Sequence, residues 1–183
     1  MKIPNILTIG RILIAPILVI VFYFPGKLSD WLSCGIFVIA AFTDYLDGFF
    51  ARLYKQQSKF GELLDPIADK VLVATALSLL IMGQIIKGPH VVAAIIIITR
   101  EILISGLREF LAKAQIYIPV TNLSKGKTVI QMIAISILLA GSSGDKFLFD
   151  YGIQLGIYLL WMSAILTLWT GYAHLRKGMD LID

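Results

Sequence analysis

The stretch ILIAPILVIVFYF, from Ile12 to Phe24, contains no charged side chain. The same is true of VLVATALSLLIMG at Val71–Gly83 and of VVAAIIIIT at Val91–Thr99. Hydrophobic residues make up 58% of the 183-residue chain, whereas a soluble domain is typically about half apolar. Because a helix needs about 20 mostly apolar residues to cross a bilayer, the pattern predicts an integral membrane protein.

Turn-forming sequences divide the chain into six predicted helices. FPGK at 24–27, IKGPH at 86–90 and GSSGDK at 141–146 mark three of the breaks. We expect helices at about 6–25, 30–53, 61–84, 89–113, 124–142 and 150–176. These would form one all-α membrane domain over residues 1–183, with six transmembrane helices. The mixed charged and apolar start, MKIPNILTIGR, predicts a short N-terminal interfacial segment.

Lysine and arginine residues are concentrated on one side of this arrangement. If both chain ends share a side, only Lys27, Lys87 and Lys146 lie on the opposite one, and Arg100 lies within the fourth helix. The positive-inside rule then places both termini and the aspartate-rich connection in the cytoplasm. The net charge of +4 suits contact with anionic membrane lipids. Nucleic acid is not an expected partner, because the basic residues are scattered between the helices.

Four aspartates lie in TDYLDGFFARLYKQQSKFGELLDPIADK, which joins the second and third predicted helices. Asp44 and Asp47 are three residues apart, and Asp65 and Asp69 are four apart, so each pair shares a helix face. Two adjacent antiparallel helices would aim both pairs at one point. Such carboxylates repel one another unless a cation compensates them. Oxygen ligands without nearby Cys or His select Mg²⁺, Mn²⁺ or Ca²⁺.

Four carboxylates are enough to hold two such ions, and paired ions favour chemistry at phosphorus. Arg52 lies eight residues beyond Asp44, near the same helix face, and its guanidinium can bind two phosphate oxygens. Small residues at Gly48, Ala51 and Gly61 would let a ligand or a helix approach closely. The alternative interpretation is a solvated cluster at the helix ends, with Arg52 as a membrane-surface anchor.

The spacing Asp44-x-x-Asp47-Gly48-x-x-Ala51-Arg52, then eight residues, then Gly61-x-x-x-Asp65-x-x-x-Asp69 resembles the full signature of the CDP-alcohol phosphotransferases. Members of this family are integral membrane enzymes. They transfer a phosphatidyl or similar group from a CDP-linked donor to an alcohol and release CMP. The resemblance implies that the four aspartates bind two divalent cations, Mg²⁺ or Mn²⁺. It also implies that Asp69 is the general base for the acceptor hydroxyl, which agrees with the weak nucleophilicity of a neutral alcohol.

The resemblance further implies a set of donor-binding residues. These contact the CDP moiety and are Gly48, Ala51, Arg52 and Gly61, with Asn5 and Thr8 near the start of the first helix. Helix capping is an equally good explanation for Asn5.

Softer similarities extend over nearly the whole chain. They lie in PNILTIGRILIAP (4–16), DPIADKVLVA (65–74), TREILISGLREF (99–110) and SKGKTVIQM (124–132). They are most similar to bacterial family members that use CDP-diacylglycerol and glycerol 3-phosphate. This resemblance implies an enzyme of the bacterial inner membrane and a homodimer.

A phosphorylated acceptor needs fixed cations. Arg100 and Arg108 are eight residues apart, near one face of the fourth helix, and the fifth helix begins with Lys125 and Lys127. A helix N-terminus also favours anions. We therefore expect an acceptor-phosphate site made of Arg100, Arg108, Lys127, Lys125 and Thr128. The alternatives are a buried ion pair between Arg100 and Glu101, and membrane anchoring by Arg108 and Lys125.

Two other functions stay open. A family enzyme that uses inositol phosphate or serine would share the aspartates, although Arg100, Arg108 and Lys127 favour a phosphorylated acceptor. A divalent-cation transporter would also carry intramembrane carboxylates, but here the acids gather at one end and the far halves of the helices are almost wholly apolar. His90 and His174 are expected at helix ends on opposite sides of the membrane, and neither is expected to be catalytic.

Overall fold

The computed structural model describes residues 3–54, 59–113, 122–145 and 150–179, except for the side chains of 3–9, 11, 44–54, 59–66, 69, 112, 113, 122, 124, 142, 145 and 177. The described residues form six helices and no β-strand, which confirms the predicted number and type of elements. The helices are α1 (Ile3–Phe22), α2 (Lys27–Tyr54), α3 (Lys59–Met82), α4 (His90–Lys113), α5 (Asn122–Asp145) and α6 (Gly152–Met179).

Most helix ends differ from the prediction by one to three residues, and two of these differences change the interpretation. α1 already begins at Ile3, so the predicted interfacial segment continues directly into the first helix. α5 continues to Asp145 and is kinked at Gly141, whose φ of 51° and ψ of −143° are not helical. A residue without a Cβ adopts such angles at low cost. The GSSGDK break is therefore a kink at its first residue, followed by four more helical residues.

The helices pack around α3, which contacts α1, α2, α4 and α5. α6 packs against α4 and α5, and α2 packs against α1 and α5. Each helix contributes a fully buried apolar side chain to the core, namely Leu18, Phe37, Leu77, Ile97, Leu138 and Leu160. The core thus extends through all six helices.

Small residues allow some of these helices to approach closely. A Cβ added to Gly156 of α6 would lie 2.8 Å from two carbons of Leu138 on α5. Helices surrounded by lipid gain little from apolar burial alone, so close packing at small residues is an important source of their association.

The outer surface of the bundle is apolar. Ile39 on α2, Ile102 on α4 and Trp169 on α6 are each more than 60% exposed. In the part of the chain that the structure describes, His90–Leu111 and Gly152–Arg176 are long and apolar enough to cross a membrane, and shorter apolar helices occupy Ile12–Phe22 and Lys70–Met82. Large exposed apolar surfaces suit contact with lipid. The full six-span arrangement stays a prediction.

One end of the bundle, here called the far end, holds the starts of α2, α4 and α6. Ser143 near the end of α5 donates a hydrogen bond to Asp30 near the start of α2, with 2.7 Å between Oγ and Oδ2. The indole N–H of Trp161 donates to Nδ1 of His90 at 3.0 Å. The end of α2 and the start of α3 lie at the opposite end.

Candidate functional site

The predicted aspartate cluster is carried by α2 and α3. Helical backbone holds Asp44 and Asp47 on α2 and Asp65 and Asp69 on α3, and these two helices pack against each other. These four residues offer only carboxylate oxygens as metal ligands, which fits hard divalent cations such as Mg²⁺ or Mn²⁺. The four side chains lie outside the described part of the structure, so the metal site stays a prediction. The same holds for the predicted donor residues Asn5, Thr8, Gly48, Ala51, Arg52 and Gly61.

Three of the four predicted acceptor-site cations, Arg100, Arg108 and Lys127, lie where α4, α5 and α6 come together. Nζ of the buried Lys127 lies 2.5 Å from Oε1 of Glu101. Arg100 Nη1 donates to the same oxygen at 3.2 Å. The ion pair between Arg100 and Glu101, which the sequence allowed as an alternative, is therefore present. Since one carboxylate serves two cations, it cannot cancel the positive charge of both.

Two residues of α6 complete the cluster. Nη2 of Arg100 donates to Oγ1 of Thr170 at 3.0 Å. Nη2 of Arg108 lies 3.3 Å from Nε2 of His174. Sequence patterns predicted no role for Thr170, and they predicted His174 only at a helix end and outside catalysis. The available signal was their spacing of four residues, which puts two polar groups on one face of an apolar helix.

Each of the two arginines has an N–H group for which the described residues provide no hydrogen-bond acceptor. Among the residues that the structure describes, Nε of Arg100 and Nε of Arg108 are buried and have no hydrogen-bond partner. A buried donor left without a partner costs about 1–3 kcal/mol. A bound phosphate would remove this cost only if it reached the buried Nε atoms. The other two predicted residues differ in position, because Lys125 is exposed while Thr128 is partly buried.

A cavity of about 40 Å³ lies beside the cluster, between α3, α4 and α5. Its polar lining comes from Lys70, Glu101, Thr128 and Gln131. This volume has room for water molecules next to Glu101. Lys70, which directly follows Asp69 on α3, also donates a hydrogen bond to Ser105 on α4. The backbone beside the predicted general base is thereby tied to the helix that carries both arginines.

Comparison with known proteins gives a family match over most of the chain. The CDP-alcohol phosphatidyltransferase family model matches residues 1–169. The chain is 41% identical to a CDP-diacylglycerol–glycerol-3-phosphate 3-phosphatidyltransferase of Rickettsia bellii (strain RML369-C), over 96% of this chain and 94% of the relative.

Two further relatives are similarly close. A protein of the same name from Haemophilus influenzae is 41% identical over 100% of this chain and 96% of its own length. A cardiolipin synthase (CMP-forming) of Oryza sativa subsp. japonica is 40% identical over 97% of this chain and 57% of its own length. The match extends across the aspartate signature and the α4 and α5 cations. The chain therefore belongs to the CDP-alcohol phosphatidyltransferase family.

Proposed function

We propose that this protein transfers the phosphatidyl group of CDP-diacylglycerol to glycerol 3-phosphate, giving phosphatidylglycerophosphate and CMP. This reaction serves the synthesis of phosphatidylglycerol and cardiolipin. The observation that carries the proposal is near full-length identity of about 40% to several relatives named for it. The cation cluster on α4 and α5 supports it independently, because glycerol 3-phosphate brings its own phosphate to the site.

On the donor side, the proposal assigns Asp44, Asp47, Asp65 and Asp69 to two divalent cations, Mg²⁺ or Mn²⁺. When bound, such ions neutralise a diphosphate and stabilise the departing CMP. The packing of α2 against α3 and the all-carboxylate donor set support this assignment. The CDP moiety would be contacted by Gly48, Ala51, Arg52, Gly61, Asn5 and Thr8.

On the acceptor side, Arg100, Arg108 and Lys127 would bind the phosphate of glycerol 3-phosphate. Support comes from their convergence around Glu101 and His174 and from the buried Nε groups of both arginines. Arginine forks match phosphate oxygens in geometry and charge. Thr128 and Lys125 would lie at the edge of this site, with Thr128 reaching it through the small cavity.

The chemical step is a displacement at phosphorus. Asp69 would accept the proton of the acceptor hydroxyl. At the same time the hydroxyl oxygen would form a bond to the phosphorus that carries the diacylglycerol group. The bond from that phosphorus to the oxygen of CMP then breaks. Holding the acceptor phosphate in the cation cluster would fix the hydroxyl in line for attack.

The proposed setting is a single domain of six transmembrane helices in the bacterial inner membrane, with both termini and the site in the cytoplasm. The asymmetry of lysine and arginine supports this orientation, and the apolar outer surface supports the membrane setting. It lets the soluble acceptor arrive from the cytoplasm and the donor from the leaflet, among anionic lipids. We also propose that the protein is a homodimer.

An acceptor screen tests the proposed function. Detergent-solubilised protein is given CDP-diacylglycerol and Mg²⁺, and CMP release is measured with glycerol 3-phosphate, serine or inositol phosphate. We expect release with glycerol 3-phosphate, loss of release with EDTA, and loss in Asp69→Asn with folding retained. Release with serine or inositol phosphate instead would assign another acceptor. Divalent-cation flux into liposomes without nucleotide, and no CMP release, would favour a transporter.

A further inference from the structure

The segment TGYAH of α6, from Thr170 to His174, contacts both arginines of α4. It lies beyond residues 1–169, which the family model matches. We infer that Thr170 and His174 are positioning residues, which hold the guanidinium groups of Arg100 and Arg108 in the orientation that binds the acceptor phosphate. This inference rests on the proposed function.

The hydroxyl of Thr170 faces Arg100 as an acceptor. Oγ1 lies 2.8 Å from the carbonyl oxygen of Leu166 and 3.2 Å from that of Thr167. Carbonyl oxygens only accept, so the single hydroxyl proton is directed to them. The remaining lone pairs of the buried oxygen are left for Nη2 of Arg100, at 3.0 Å. The direction of this contact is therefore fixed by the helix itself.

The ring of His174 is fixed in the same way. Its Nδ1 lies 2.7 Å from the carbonyl oxygen of Thr170, so Nδ1 carries the proton and donates it. In the neutral ring, Nε2 is then an acceptor, and Nη2 of Arg108 lies 3.3 Å from it. The carbonyl of Thr170 and the guanidinium of Arg108 thus contact the two nitrogens of the buried imidazole and fix its orientation.

Gly171 gives Arg100 the space to reach Thr170. A Cβ at this position would lie 3.1 Å from both Cγ and Nε of Arg100. Such contacts are tighter than a normal van der Waals separation, so the arginine would have to shift. The stem of Arg100 thus packs directly over the backbone of α6, next to the residue that accepts its hydrogen bond.

Both α6 acceptors are neutral. A carboxylate would also orient an arginine, but it would offset the charge that a phosphate needs, as Glu101 partly does for Arg100 and Lys127. A hydroxyl and a neutral imidazole set the direction of each guanidinium and leave its charge available. Pre-ordered donors lose less side-chain freedom when the ligand binds.

Steady-state kinetics of full-length protein in detergent test the inference, with CMP release as the readout. Thr170→Val and His174→Phe remove the two acceptors with little change in bulk. We expect each to raise the KM for glycerol 3-phosphate about tenfold, while the KM for CDP-diacylglycerol changes less than about twofold. Thr170→Ser and His174→Gln, which keep a side-chain acceptor atom, should leave both KM values within about threefold of wild type.

Thr167→Val is a matched control. Thr167 is also buried on α6, and its Oγ1 has no hydrogen-bond partner in the described part of the chain. This variant should leave both KM values unchanged. Gly171→Ala provides a second approach to Arg100 without removing a polar group, and we expect it to raise the KM for glycerol 3-phosphate selectively.

The KM values for the two substrates distinguish a positioning role of the α6 residues from a merely structural one. A selective rise in the acceptor KM with rescue by the conservative variants supports it. Equal effects on both substrates, or reduced turnover at unchanged KM, would make the α6 residues merely structural and overturn it. If wild type works with inositol phosphate instead, the proposed function fails and the same comparison is made with that acceptor. If wild type uses serine alone, no acceptor phosphate exists and the inference fails too.

Discussion

Nζ of Lys127 on α5 lies 2.5 Å from Oε1 of Glu101 on α4, and 4% of the lysine side chain is exposed. We predict that Glu101→Gln lowers stability by about 3 kcal/mol, since breaking a largely buried pair strands a buried charge. Thermal unfolding in detergent should show a lower apparent Tm. Lys127→Met in the same chain should recover stability without restoring CMP release. The prediction would be contradicted if Glu101→Gln alone were as stable as wild type.

Ser143 anchors the far end of α5 to α2 through Asp30. Ser143→Ala removes a hydrogen bond to an acidic side chain, so we expect a loss of about 1.5–3 kcal/mol in stability. The KM values should not change, because this contact lies at the opposite end from the predicted site. Ser136→Ala is the control, since among the described residues that hydroxyl bonds to the carbonyl of Met132 on its own helix. Equal destabilisation by both variants would refute a specific role for Ser143.

Gly156 sets the approach of α6 to α5. Gly156→Ala places a methyl group 2.8 Å from Leu138, and such overpacking costs about 1–3 kcal/mol. Shortening the neighbour in Gly156→Ala/Leu138→Val should recover part of the loss in apparent Tm. Gly35→Ala is the control, because a Cβ there meets nothing within 4 Å. The packing explanation fails if the double variant is less stable than either single one.

Arg108 is predicted to act on the acceptor alone. Arg108→Ala should raise the KM for glycerol 3-phosphate at least about tenfold, because charge-assisted hydrogen bonds to phosphate are lost. The KM for CDP-diacylglycerol should change little. Arg176→Ala removes an exposed arginine from the same end of α6 and should leave both values unchanged. Similar increases for both substrates would take Arg108 out of the acceptor site.

The apolar runs were enough to predict the six helices, because a helix of a membrane protein is specified largely by local composition. The kink at Gly141 was not predicted, since GSSGDK is equally compatible with a loop. Among charged residues, the pairing of Arg100 with Glu101 could be anticipated because they are neighbours in sequence.

The contacts of α6 could not be predicted in this way. His174 and Arg108 are separated by 66 positions, and Trp161 and His90 by 71. Such pairs depend on how α4 and α6 are rotated about their axes. Periodicity cannot supply that rotation for a helix that is apolar on nearly every face. The aspartate signature was recognisable because its spacing lies within one connected segment.

The eight-residue separation of Arg100 and Arg108 also sets a length scale. At 1.5 Å per residue the two Cα atoms lie about 12 Å apart along α4, with Arg108 nearer the end of the helix that is predicted to face the cytoplasm. A dianion that arrives from the cytoplasm would therefore meet Arg108 before Arg100. Capture of glycerol 3-phosphate should then slow as ionic strength rises, whereas the bound dianion, shielded from counter-ions by the surrounding helices, would be released at a nearly constant rate.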